Sequence, residues 1–178
     1  MREAFYNLLD RRGTWPVVAL LFILFILCAQ GFEYRRSRLG FENQALDSRR
    51  WYSPAEARDF FQAIEERGQR VFYAATELTL DILFPIVYGP LFAILLIRVY
   101  APPNAKNFVL VPLLGAAADL LENVTIAYLA LQFDGQTSSL ARVATVFTAA
   151  KSILLVLSFI LILLGALAAL WRSSRSPT

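Results

Sequence analysis

VFYAATELTLDILFPIVYGPLFAILLIRVY, residues 71–100, is a near-continuous apolar stretch with two carboxylates, Glu77 and Asp81, set into its first half. It exceeds the roughly 20 helical residues that cross about 30 Å of hydrocarbon. It lacks the apolar and polar alternation of a barrel strand, and a backbone in lipid must satisfy its own hydrogen bonds, so a spanning helix is predicted. Glu77 and Asp81 are four apart and share one helix face, with Tyr73 a turn before and Tyr88 two turns after Asp81. Pro85 has no amide hydrogen, so the Asp81 carbonyl four residues earlier loses its helical partner and the helix can kink there. Gly89 and Pro90 follow, and a straight rod is not expected.

Three more runs are long enough to span: residues 15–32, 108–132 and 143–171. With 57% hydrophobic residues and a mean hydropathy of +0.52 over 178 residues, the chain is more apolar than an ordinary soluble domain. The predicted fold is all-α: an integral membrane protein forming one antiparallel bundle of four transmembrane helices over residues 1–178. Short turn-forming connections, APPNAKN at 101–107 and FDGQTSS at 133–139, make neighbouring spans antiparallel. The first run, WPVVALLFILFILCAQGF, follows a tail with Arg2, Arg11 and Arg12 and superficially resembles a signal peptide, with Ala29 and Gly31 as small residues. Its apolar core is longer than the usual 7 to 15 or so residues, and it is read as an uncleaved anchor. No internal repeat is visible.

The later runs carry charge as well. Asp119, Glu122 and Asn123 fall at i, i+3 and i+4 on the third, just after the small residues of GAAAD, which let a neighbouring helix approach closely. Asn123-Val124-Thr125 matches a glycosylation pattern, but at mid-membrane depth it cannot be modified. The fourth run offers Lys151 with Thr148, Ser152 and Thr145 nearby and Arg142 at its mouth, then continues as almost pure aliphatic sequence. Each charge costs about 2.5 to 3.5 kcal/mol at a helix centre, so five together oppose insertion by on the order of 10 kcal/mol unless they meet each other or water. At about 1.5 Å per residue, Asp81, Glu122 and Lys151 each lie about 15 Å from the span end nearest the long loop, so they share one layer. The first run contributes only apolar surface in this scheme. Four carboxyls and one ammonium leave three negative charges, which implies bound protons, a cation or a water-filled cavity.

The extramembrane segment 33–70 carries eight arginines against seven acids. Ser53-Pro54-Ala55-Glu56 reads as a capping box opening a helix over 53–69, and Ala57, Phe60, Phe61 and Ile64 form its apolar stripe, suited to lying on the bundle or the membrane surface or to meeting a partner. Gly68 marks its end. The absence of histidine and the single cysteine, Cys28, exclude histidine-ligated haem, thiolate zinc sites, iron–sulfur clusters and the histidine-containing triads. Cys28 is read as a packing residue, and no metal or cofactor is assigned. The net charge of +3 comes from arginines near the membrane edges, so the expected partners are membrane lipids and not nucleic acid. Arg98, Lys106, Arg172 and Arg175 in short segments place both termini in the cytoplasm of a bacterial-type inner membrane, although the long loop carries more arginines.

The candidate site is therefore Glu77, Asp81, Asp119, Glu122, Asn123 and Lys151, supported by Tyr73, Pro85, Tyr88 and Thr148. It fits the binding or conduction of a proton, a cation or a small amphipathic ligand. Four spans make a small pathway, which points to a homo-oligomer or a partner membrane protein. Two other readings stay open: an enzyme acting on a lipid or isoprenoid by carboxylate acid–base chemistry, and a structural or accessory subunit whose polar network only fixes helix register.

Overall fold

In the computed structural model, which describes residues 2–40, 45–101 and 104–174, no strand occurs among the described residues. Pro102, Pro103 and Arg175 lie outside them. The helices are α1 (Arg2–Arg12), α2 (Trp15–Leu39), α3 (Pro54–Glu66), α4 (Arg70–Glu77), α5 (Leu80–Val99), α6 (Asn104–Phe108), α7 (Leu110–Leu131) and α8 (Leu140–Ser173), with a 3₁₀ turn at Leu46–Ser48. Four stretches, Trp15–Leu39, Arg70–Val99, Asn104–Leu131 and Leu140–Arg172, are long and apolar enough to cross a membrane. The second and third are about half buried or more (61% and 50%), whereas the first and last are 11% buried, so α5 and α7 form the centre and α2 and α8 flank it.

The first long helix continues well past residue 32, through Glu33, Tyr34 and three arginines, to Leu39. Gly40 ends it in the left-handed region (φ 61°), donating its amide to the Arg36 carbonyl at 3.1 Å. Cys28, Arg35 and Leu39 lie on the buried stripe of this helix. The idea that the first run supplies only apolar surface is thereby corrected, because Arg35 enters the interior from its extension.

The capping box forms as expected: Ser53 N–H donates to Glu56 Oε2 (2.7 Å), and Glu56 N–H donates to Ser53 Oγ (3.2 Å). Exposed Glu56 is held below the usual carboxylate range by these bonds to Ser53. Ala57, Phe60, Phe61 and Ile64 are the buried face of α3, packed with Tyr73, Ile126, Leu129, Ala141 and Ala144. Gly68 adopts φ 65° just beyond the helix.

The second long stretch is broken at Leu78–Thr79, between the two carboxylates, while α5 runs through both Pro85 and Pro90. Thr79 and Thr76 hydroxyls bond back to the Ala75 (2.7 Å) and Tyr73 (2.8 Å) carbonyls, offering the backbone an alternative to its helical ladder. The carbonyl that Pro85 leaves without a helical partner is taken by α7: Asn123 Nδ2 donates to the Asp81 oxygen at 2.6 Å. Close approach of the central helices depends on glycine. A Cβ at Gly89 would stand 2.9 Å from Ala116 Cβ, and one at Gly115 would stand 3.2 Å from Leu154 Cβ. At the far end, Arg98 donates to the Gly13 carbonyl and lies 5.8 Å from the Trp15 ring centre. Arg172 reaches the Val99 carbonyl at 3.5 Å.

Candidate functional site

Among the described residues, two ion clusters occupy the interior. In the first, the planar fork of Arg35 bridges three carboxylates: Asp47 (2.6 Å), Asp81 (2.5 Å) and Glu77 (3.5 Å). Each acid comes from a different element, the 3₁₀ turn, α5 and α4. The rings of Phe32 and Tyr73 lie 5.2 and 5.8 Å from the guanidinium, and the Tyr73 hydroxyl donates to Asp47 Oδ1 at 3.3 Å. Burial raises the Asp47 pKa, but the Arg35 charge outweighs it and holds this carboxyl below its ordinary range. Carboxylate oxygens of Asp47, Glu77 and Asp81 lie within 4.8 Å of one another, a spacing that suits a cation. The cation between them is the Arg35 guanidinium.

In the second cluster, Lys151 of α8 meets two acids of α7, Glu122 at 2.6 Å and Asp119 at 3.1 Å. Thr148, one turn before the lysine, donates to Glu122 Oε1 at 2.7 Å, with the Ala144 carbonyl (3.0 Å) as its other acceptor. Tyr52, from the loop before α3, is buried alongside, and its amide donates to Thr145 Oγ1 at 3.0 Å. Burial pushes the Tyr52 phenol well above its usual range. Tyr88 Oη lies beside the Asp119 carboxyl without closing a hydrogen bond to it.

Asn123 joins the two clusters by holding the Asp81 carbonyl from the helix that carries Asp119 and Glu122. The sequence-predicted residues Glu77, Asp81, Asp119, Glu122, Asn123 and Lys151 thus meet in one layer, with Tyr73, Tyr88 and Thr148 around them. Pro85 contributes through the carbonyl it frees. Arg35 and Asp47 were not among the candidates. The signal for Arg35 was spacing: Cys28, Phe32, Arg35 and Leu39 recur at i, i+4, i+7 and i+11, so the helical stripe runs through the arginine without a break. Asp47 and Tyr52 carry no comparable local pattern, because their partners are distant in sequence.

Five carboxylates against two cations leave three negative charges if all are ionised, in a layer where most of these groups are at least nine-tenths buried. A low-dielectric interior holds such an excess only with protons, a further cation or solvent. A cavity of about 670 Å³ opens beside the layer. Arg35, Asp47 and Asp81 form one wall, Asp119 and Lys151 another, and Phe32, Phe84 and Leu155 supply apolar surface. Glu77, Glu122 and Asn123 lie behind these walls and do not line it.

Four apolar helices with a buried acidic and basic cluster fit a membrane protein. No protein-family model, curated protein or solved structure matches the chain.

Proposed function

We propose that this protein crosses the membrane four times and binds a small amphipathic ligand in the cavity beside its two ion clusters. One observation carries the reading: a single cavity is walled by members of both clusters and by apolar side chains together. Its volume falls within the range of about 300 to 1,000 Å³ of small-molecule sites. A bare cation is the weaker fit, because Arg35 already stands among Asp47, Glu77 and Asp81. The excess carboxylates then act as proton carriers, giving the pocket adjustable charge.

Ser152 of α8 lines the cavity without belonging to either cluster, and Ser152→Trp fills the space from that side. Native mass spectrometry of wild-type protein in mild detergent should show a co-purified adduct of small-lipid mass, and the filled variant should lose it at unchanged melting temperature. Identical adduct spectra for the two would sink the proposal.

A second reading, turnover of that ligand by acid–base chemistry, draws on Asp119, which contacts Lys151 and lies beside the Tyr88 hydroxyl at the cavity wall. Conversion of a radiolabelled lipid extract by wild type but not by Asp119→Asn would support it.

A further inference from the structure

Arg36, Arg49 and Arg50 add to the cavity rim and are absent from both clusters. Among the described residues that line the space, five charged side chains are cations and three are carboxylates, a surplus of two positive charges even though the layer behind it is acid-rich. Arg50 and Arg36 are exposed, the latter paired with Glu33 at 3.0 Å, and Arg49 lies 5.9 Å from the Phe60 ring centre. A positive rim over an apolar slot selects an anionic head group with an apolar tail.

Depth agrees. Trp15 and Trp171 lie near the end where Arg98 and Arg172 make their contacts. Arg35 is twenty residues beyond Trp15 on α2, and Lys151 is twenty residues before Trp171 on α8. At about 1.5 Å per residue both distances are about 30 Å, one hydrocarbon thickness, so a tryptophan at one interface puts both cations at the other. This depth replaces the mid-membrane position expected from the ends of the apolar runs: the polar layer stands at head-group level, which lowers the insertion cost of every charge in it. Sideways, the cavity reaches Leu155 and Val156 of α8 and Phe32 of α2. These two helices do not pack along one another, and both turn apolar, largely exposed faces outward.

We propose, building on the amphipathic-ligand reading, that the cavity is a lateral portal for a phosphate-bearing lipid whose head group is net anionic. The phosphate sits among the rim arginines and the tail leaves between α2 and α8. A free phosphate offers the same head-group chemistry without the tail, and the test separates the two.

The test is titration of the full-length protein in detergent by native mass spectrometry with phosphatidylglycerol, phosphatidylcholine and inorganic phosphate. Phosphatidylglycerol should bind about tenfold more tightly than phosphatidylcholine, and Arg36→Gln with Arg50→Gln should weaken it about tenfold. Arg11→Gln with Arg12→Gln removes equal charge about one helix length away and should change binding less than about twofold. Val156→Trp, at an exposed position, should close the slot and weaken lipid binding without lowering the melting temperature. Equal affinity for the two lipids overturns the head-group assignment and leaves the cavity reading standing. Equal loss from the two arginine pairs overturns the location, and phosphate binding as tight as the lipid overturns the tail. If wild type holds none of the lipids, the amphipathic-ligand reading falls as well.

Discussion

The two ion clusters differ in what they tie together. Arg35 joins α2, the 3₁₀ turn, α4 and α5 through one planar group, whereas Lys151 joins only α8 to α7, which already pack along their lengths. Arginine offers a fixed planar fork that can reach several carboxylates at once, whereas lysine is a compact point charge on a flexible stem. The Arg35 cluster is therefore a joint that closes the long loop onto a broken helix, and the Lys151 cluster is a local pairing within an existing interface. Similar polarity at similar depth serves two mechanical purposes.

The largest expected effect comes from breaking the joint. Arg35→Met leaves three carboxylates around an uncharged side chain and should cost about 3 to 5 kcal/mol, read as a lower melting temperature in detergent. Arg35→Lys should recover only part, because an ammonium cannot span all three acids. Next comes Lys151→Met, expected to cost about 2 kcal/mol, since Glu122 keeps its Thr148 bond and two acids on one helix can share a proton. Adding Glu122→Gln should restore most of it. If Lys151→Met proves as damaging as Arg35→Met, the distinction between joint and pair is wrong.

Smaller still is the bond between the clusters. Asn123→Ala removes the donor from the Asp81 carbonyl and should cost about 1 to 2 kcal/mol. In a Pro85→Ala background α5 regains the amide for that carbonyl, so the same substitution should cost less than half as much; full additivity would show that the bond does not replace the missing rung. The smallest effect is on pH dependence. Asp47 has a lowered folded pKa, so it binds a proton less readily than the unfolded chain does, and its contribution is present above the ordinary aspartate pKa of about 3.9. That contribution is lost as pH falls through the lower folded value. Intrinsic-rate-corrected hydrogen exchange at Leu46–Ser48 should rise as pH drops below about 4 in wild type and stay flat in Asp47→Asn.

Much of the layer was legible because it follows helical period. Glu77 with Asp81, and Asp119 with Glu122 and Asn123, are faces that spacing alone defines, and rise per residue brought them to a common depth with Lys151. The stripe and capping box of α3 were equally local. Arg35 was hidden by composition: GFEYRRSRLG looks like a loop when judged by hydropathy, yet its residues are tolerable helix formers and the buried stripe simply continues. The break at Leu78–Thr79 was masked by the stronger signal of Pro85, whose defect is repaired by a side chain from another helix. Asp47 depends on a contact 12 residues away that no period encodes.

Arg35 is made well before two of its three acids. Asp47 follows it by 12 residues, but Glu77 and Asp81 follow by 42 and 46. At synthesis rates of about 5 to 20 residues per second, the arginine waits about 2 to 9 s for its last partner to emerge. In that interval Arg35 must stay solvated, with only Asp47 of the nearby turn to neutralise it. Closure of the cluster is then a late event of biogenesis, and the first helix keeps its freedom until the broken second stretch arrives to claim it.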